Sequence, residues 1–302
     1  MHRRLPRLLF YSLTAVVPVL GALVGLGPAA SAGTVAKTAT AAKTGTASTV
    51  SASPSAQAAA AARSALKQLV VGQHATDHPV SGHVRMINGL TQVDSTNWSG
   101  YADDNSGGNT YSKVSSIWTE PSASCTSTES LAAFWVGIDG YSSSSVEQDG
   151  SLIECYRSRA YYYTWWEMYP SNAIQVVGSS VSPGDSISSS VVKSGSSYTL
   201  KVTDSTHTAN SFITTQTCSS CADTSAEWIA EAPSGSSGVY PLSNFHSWST
   251  SSASVTSGSS GSISAFPDDE LTMIDSSGSV KAQPGSLGSG GSAFSVVWDR
   301  SS

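Results

Sequence analysis

Tyr161-Tyr-Tyr-Thr-Trp-Trp-Glu-Met-Tyr-Pro170 sets five rings, interrupted only by Thr164, ahead of a single carboxylate, Glu167. In an extended strand, alternate side chains point to opposite faces. Tyr161, Tyr163, Trp165, Glu167 and Tyr169 then share one face, and Tyr162, Thr164, Trp166 and Met168 the other. With the second face in a core, the first displays an acid among aromatic rings. The plainer reading is a sandwich strand with a rim of surface aromatics.

The same two-residue period extends outward. In Phe134-Trp-Val-Gly-Ile-Asp-Gly140, Phe134, Val136 and Ile138 share the apolar face, and Trp135, Gly137 and Asp139 the other. In Ser225-Ala-Glu-Trp-Ile-Ala-Glu231, Glu227, Ile229 and Glu231 share one face and Trp228 lies opposite. Gln148 lies between two of these segments in the chain. Three strands with acids on one face, in a Ser-rich domain, suggest a lined groove. Roughly a dozen short alternating segments follow residue 94, and none carries a 3.6-residue apolar period. That is more than one open sheet holds without curling or splitting. The expected fold is all-β, a sandwich of two large antiparallel sheets of the jelly-roll or concanavalin kind.

The N-terminal third reads differently. Arg3, Arg4 and Arg7 precede an apolar run from Leu8 to Leu26, and Ala30-Ser31-Ala32 offers a small-residue cleavage site. Residues 1–32 read as a secretory signal peptide, and the product as exported, with no membrane contact after its removal. Residues 33–93 contain no Trp, Tyr, Phe or Cys and carry five basic side chains (Lys37, Lys43, Arg63, Lys67, Arg85) against Asp77. The Ala/Thr/Ser tract at their start has too few large apolar groups to offset chain entropy. They read as a basic propeptide, largely disordered, that would act as an inhibitor of the domain it precedes, or as a flexible stalk or linker. From Asp94 onward 20 Asp and Glu stand against 7 Lys and Arg, a net of −13. The mature domain is therefore expected over 94–302. Its acidity excludes a nucleic-acid partner, because phosphate binding needs clustered cations.

Cys125, Cys155, Cys218 and Cys221 make an even count in an exported chain, which reads as two disulfides. Three pairings exist. Cys125–Cys155 with a tight Cys218–Cys221 loop is preferred; a redox motif or half a zinc site lacks supporting context.

Elimination narrows the chemistry. Only His207 and His246 lie in the mature region, each in a setting suited to a structural role. A Ser-His-Asp triad or His-ligated zinc is poorly supplied. No Gly-x-Ser-x-Gly, His-Glu-x-x-His or phosphate loop occurs, and neither metal nor cofactor is indicated. Carboxylates, an amide and aromatic walls remain. These suit acid–base catalysis on water, or sugar binding.

Six ordered motifs carry a resemblance. They are Asn97-Trp-Ser-Gly-Tyr-Ala102, Trp135-Val-Gly-Ile-Asp-Gly140, Gln148-Asp-Gly150, Trp165-Trp-Glu-Met-Tyr-Pro170, Pro183-Gly-Asp-Ser186 and Ala226-Glu-Trp-Ile-Ala-Glu231. Residues 95–300 resemble the glutamic peptidases, or eqolisins, of bacterial type. The resemblance implies a secreted, pepstatin-insensitive acid endopeptidase acting on polypeptides, made with a basic propeptide. It implies a catalytic Gln148 and Glu231. Trp135, Asp139, Trp165 and Glu167 would line the substrate groove, with Glu227 on the same strand face as Glu231. Fungal members carry an aspartate where Leu152 stands, so that contact is absent or supplied by Asp149. Asn97-Trp-Ser99 is also a glycosylation sequon. A monomer is expected. A rival reading is a carbohydrate-binding or glycoside-hydrolysing sandwich, in which Glu167 pairs with Glu231 or Asp139. Gln148 discriminates, since a two-carboxylate glycosidase has no fixed need of it. A third class, a non-catalytic surface protein, would tolerate loss of both Gln148 and Glu231.

Overall fold

The computed structural model describes residues 85–87 and 90–302. The signal peptide read at 1–32 and most of the leader read at 33–93 lie outside the described residues. In chain order the strands are β1 (Arg85–Ile87), β2 (Leu90–Ser95), β3 (Trp98–Asp103), β4 (Lys113–Thr119), β5 (Ser130–Ile138) and β6 (Val146–Tyr156). Then come β7 (Arg159–Tyr169), β8 (Asn172–Gly178), β9 (Ser186–Ser194), β10 (Ser197–Asp204), β11 (Phe212–Thr217) and β12 (Ala226–Glu231). The chain continues through β13 (Ser234–Gly235), β14 (Gly238–Val239), β15 (Ser247–Ser257), β16 (Ser259–Gly261), β17 (Asp268–Ile274), β18 (Val280–Pro284) and β19 (Phe294–Trp298).

Two large sheets pack face to face, as expected for a sandwich. One runs β8-β7-β6-β5-β12-β3-β17-β2-β1 and the other β11-β10-β9-β4-β15-β19-β18. The β17–β18 pair joins them at one edge. The pairings are antiparallel except β17 with β2. That strand lies mostly within the segment read as leader, so the sheet begins before residue 94.

The second sheet shows the alternation that its sequence carries. In β4, Val114, Ser116 and Trp118 turn inward, while Lys113, Ser115, Ile117 and Thr119 turn outward. Its outer surface is largely Ser and Thr. The first sheet is covered on both faces, and β3, β5 and β12 are buried throughout. Between the sheets lies a core of Phe134, Val136, Ile138, Ile153, Trp228, Trp118 and Trp248. Trp248 stacks on Phe134 at 5.4 Å and meets Trp118 edge-on at 5.8 Å. Burying one such indole contributes roughly 4–6 kcal/mol before entropy is counted. Met168 joins this core and Trp166 packs against it, so that face of the opening stretch is interior. Its other face, with Tyr163 and Trp165, belongs to a separate cluster with Trp98, Trp135, Leu152 and Ile229.

Both disulfides form with the preferred pairing, Cys125–Cys155 and Cys218–Cys221. Their loops differ greatly, with sequence separations of 30 and 3. By loop-closure entropy the first constrains the unfolded chain by about 4 kcal/mol and the second by about 2 kcal/mol.

Candidate active site

The register of four neighbouring strands assembles the site. Across β12, β5, β6 and β7, one rung reads Glu227, Gly137, Gln148, Glu167. The next rung on that face reads Ile229, Trp135, Gly150, Trp165. The third reads Glu231, Ala133, Leu152, Tyr163. Because side chains alternate, all of these project from one face of the sheet. Six of the expected residues therefore meet there: Trp135, Gln148, Trp165, Glu167, Glu227 and Glu231. All six are fully buried.

Gln148 donates from Nε2 to Glu167 Oε2 at 3.0 Å. This bond fixes the plane of the amide. Glu231 receives two N–H donors. Trp135 Nε1 donates to its Oε2 at 2.8 Å, and Asn97 Nδ2 to its Oε1 at 3.4 Å. Donors aimed at a carboxylate stabilise its charge. Trp98 packs edge-on against Trp135 at 5.0 Å and holds that indole in place.

Glu231 stands two rungs from Gln148, with Trp135 between. The far edge of the indole leans over Gly137, 2.8 Å from where a Cβ would sit. Its nitrogen meets Glu231 at the other end. The indole thus spans from one group to the other. A side chain at position 137 would also press on Gln148 Cβ and Glu227 Oε2, each 3.3 Å away. Only glycine leaves that space open.

Glu227 shares the rung of Gln148, yet its environment differs from that of Glu231. Burial pushes its carboxyl well above the usual range, and the neighbouring charge of Asp139 adds to the rise. Ser225 and the backbone at Tyr141 oppose that rise, but neither oxygen has a hydrogen bond of good geometry. Burial therefore favours the protonated form of Glu227.

Two expected residues stand elsewhere. Asp139 does not line this face. The alternation that put it beside Trp135 needs the strand to continue, and β5 ends at Ile138. Asp139 takes a left-handed turn, φ 67°. Its carboxylate accepts the backbone N–H groups of Ala222, Asp223 and Thr224, each at 2.8 Å. Asp149 likewise cannot replace the aspartate missing at Leu152. As the neighbour of Gln148 it points to the opposite face, where Ser189 donates to it. Burial raises it to about 8.

His207 and His246 are structural and lie outside the site. His207 Nδ1 pairs with Asp185 at 2.9 Å, and His246 Nε2 with Ser124 Oγ at 3.0 Å.

Asn97 is the residue that sequence reasoning undervalued. Its amide is fully buried against Glu231, which leaves no room for a glycan on the folded chain. Its place at the head of the first motif was the available signal.

A β-sandwich with a carboxylate, an amide and indoles on one buried face, and no histidine or thiol among them, is laid out for acid–base hydrolysis. The chain belongs to the Peptidase A4 family, whose model matches residues 96–290; it is a glutamic peptidase. It is 30% identical over 223 residues to aspergillopepsin-2 of Aspergillus niger, covering 64% of this chain and 76% of that protein. Its fold matches scytalido-glutamic peptidase bound to a transition-state analogue inhibitor, with a TM-score of 0.56 and 25% identity. That match covers 68% of this chain and 98% of the other. SCP-B, an eqolisin solved with the tripeptide Ala-Ile-His, shares the fold at a TM-score of 0.54 and 24% identity. That likeness covers 68% of this chain and 98% of SCP-B.

Proposed function

We propose that the protein is a secreted acid endopeptidase in which Glu231 is the general base and Gln148 the oxyanion donor. The observation that carries this reading is the pair of N–H donors that Trp135 and Asn97 direct at Glu231. A general base must be ionised to accept a proton. Trp135 and Asn97 supply what an ionised Glu231 needs, whereas at Glu227 burial outweighs the opposing contacts of Ser225 and the Tyr141 backbone.

Glu231 draws a proton from water, and the water attacks the peptide carbonyl. The amide of Gln148 carries two N–H donors. One binds Glu167 and orients the group. The other stabilises the developing oxyanion, and an amide does so without needing protonation. Protonated Glu231 then passes its proton to the leaving nitrogen. Trp135, Trp165 and Trp98 wall the substrate. No metal or cofactor enters these steps.

The test is hydrolysis of denatured casein in acid with pepstatin present. Glu231→Gln is expected to remove activity, and Gln148→Ala to lower kcat by about 10²–10³-fold. Glu227→Gln, which replaces a carboxyl that burial keeps from ionising readily, should leave most activity. If instead Glu227→Gln is inactive and Glu231→Gln active, the base is Glu227, the rung-mate of Gln148.

The basic leader fits a zymogen. Its cations would hold it on the domain near neutral pH and release it as carboxylates protonate. Its affinity for the domain, measured as a separate peptide from about pH 4 to 7, should weaken toward acid; tighter binding there contradicts the idea.

A further inference from the structure

The Cys218–Cys221 bridge has a neighbour that its structural role does not require. Glu147 reaches it from β6, with a carboxylate oxygen and both sulfurs all within 4.8 Å of one another. Glu147 is fully buried, and neither of its oxygens has a hydrogen-bond partner. An unpartnered buried carboxyl costs stability, so its presence needs a reason. The two cysteines, by contrast, are only partly buried and pack on the edge of the core. The bridge is also the weaker staple of the two, because it closes so short a loop.

We propose that Cys218–Cys221 is a reducible disulfide and that Glu147 is its proton donor and acceptor, with a dithiol as the reacting partner. The thiolate of the dithiol attacks one sulfur. The S–S bond breaks, and the other sulfur leaves as a thiolate that takes the proton of Glu147. The second thiol of the dithiol gives its proton to the Glu147 carboxylate and attacks the mixed disulfide. The remaining cysteine sulfur leaves and is protonated from solvent. Two electrons pass from the dithiol, which ends as a disulfide, and Glu147 ends as it began.

The surroundings keep the proton on Glu147 near neutral pH. Burial raises its carboxyl to about 10, and the charges of Asp139 and Asp223 add to the rise. Asp139 forms no hydrogen bond of good geometry with it. Tyr198 and Lys193 both bind Asp223, so the cation is taken up there. Just beyond Cys221, Ala222, Asp223 and Thr224 are tied to Asp139 and lead into β12. The bridge therefore anchors the strand that carries Glu231, although its reactivity does not depend on the peptidase mechanism.

The folded full-length chain is treated with dithiothreitol near neutral pH, quenched with iodoacetamide, and its labelled cysteines are identified by peptide mass. Cys218 and Cys221 should label at least ~10-fold faster than Cys125 and Cys155, and Glu147→Gln should slow only the former by ~10-fold or more. Should Glu147→Gln not fold, Glu147→Met, of similar volume, takes its place. Equal labelling of the two bridges in the wild-type chain overturns the proposal, as does an unchanged rate in a folded Glu147 variant.

Discussion

Trp135 is where single-residue chemistry concentrates. Its ring borders Gly137, its nitrogen holds Glu231, and Trp98 braces it. Trp135→Phe keeps most of the ring and removes the donor. A hydrogen bond to a charged group contributes about 1.5–3 kcal/mol, so kcat/KM should fall roughly 10- to 100-fold, and the melting temperature by roughly 3–12 °C with the chain still folded at assay temperature. Steady-state kinetics with a parallel melting curve decides it: equal activity in a folded Trp135→Phe means that the bond to Glu231 does not serve catalysis. The facing of Trp135, Glu167 and Glu231 was legible because alternation is a local property of a strand, whereas Gln148 was marked only by its place in the chain and by the family resemblance. The bond from Asn97 to Glu231 was not, since it joins residues 134 positions apart.

At the scale of elements, the end of β5 sets the limit of local reading. A period of two places Asp139 beside Trp135 only while the backbone stays extended. The left-handed turn at Asp139 breaks the period and sends its carboxylate to the loop that precedes β12. Asp139→Asn loses charge and part of the acceptor geometry that three backbone N–H groups use. A loss of about 3 kcal/mol follows from weakening such charge-assisted bonds, a fall of roughly 6–12 °C in Tm for a domain of this size. An unchanged Tm by calorimetry would show that the loop is held by other contacts. The stretches quoted at 161–170 and 225–231 match β7 and β12 to within two residues, while nothing in the sequence announced β8. It follows the turn after Pro170 directly, with no cluster of Gly or Asn to announce a new strand.

For the whole molecule, the decisive fact is where the acids go. Of the 20 Asp and Glu from residue 94 onward, 15 are buried. Burial, the first cause in each case, raises Asp103 to about 9, Glu120 to about 8, Glu147 to about 10, Asp149 to about 8 and Glu154 to about 7. The folded chain holds these protons where the unfolded chain, with carboxyls near pH 4, has released them. Stability is thus fully present below about pH 4 and falls as pH rises toward 7–10. Tm should drop steadily between pH 4 and 8, and Glu120→Gln should flatten that slope. A Tm that rises across this range refutes the assignment. The same fact tempers the expectation of an acidic surface: five of the 20 carboxyls remain outside the buried set, so a basic leader meets less charge than composition suggests.

The sequence by itself determined the all-β class, the faces of its strands, the chemistry left after elimination and the motif order of the family. These rest on short-range facts: the period of an extended chain, the side chains present, and their spacing. Only the tertiary structure decided that Trp135 and Asn97 donate to Glu231, that Glu227 is buried beside Gly137, that Asp139 serves a loop, and that Glu147 lies near a disulfide. Those depend on burial and on contacts between distant strands. The charge state of a carboxyl follows from its solvent and its neighbours, and a linear sequence specifies neither.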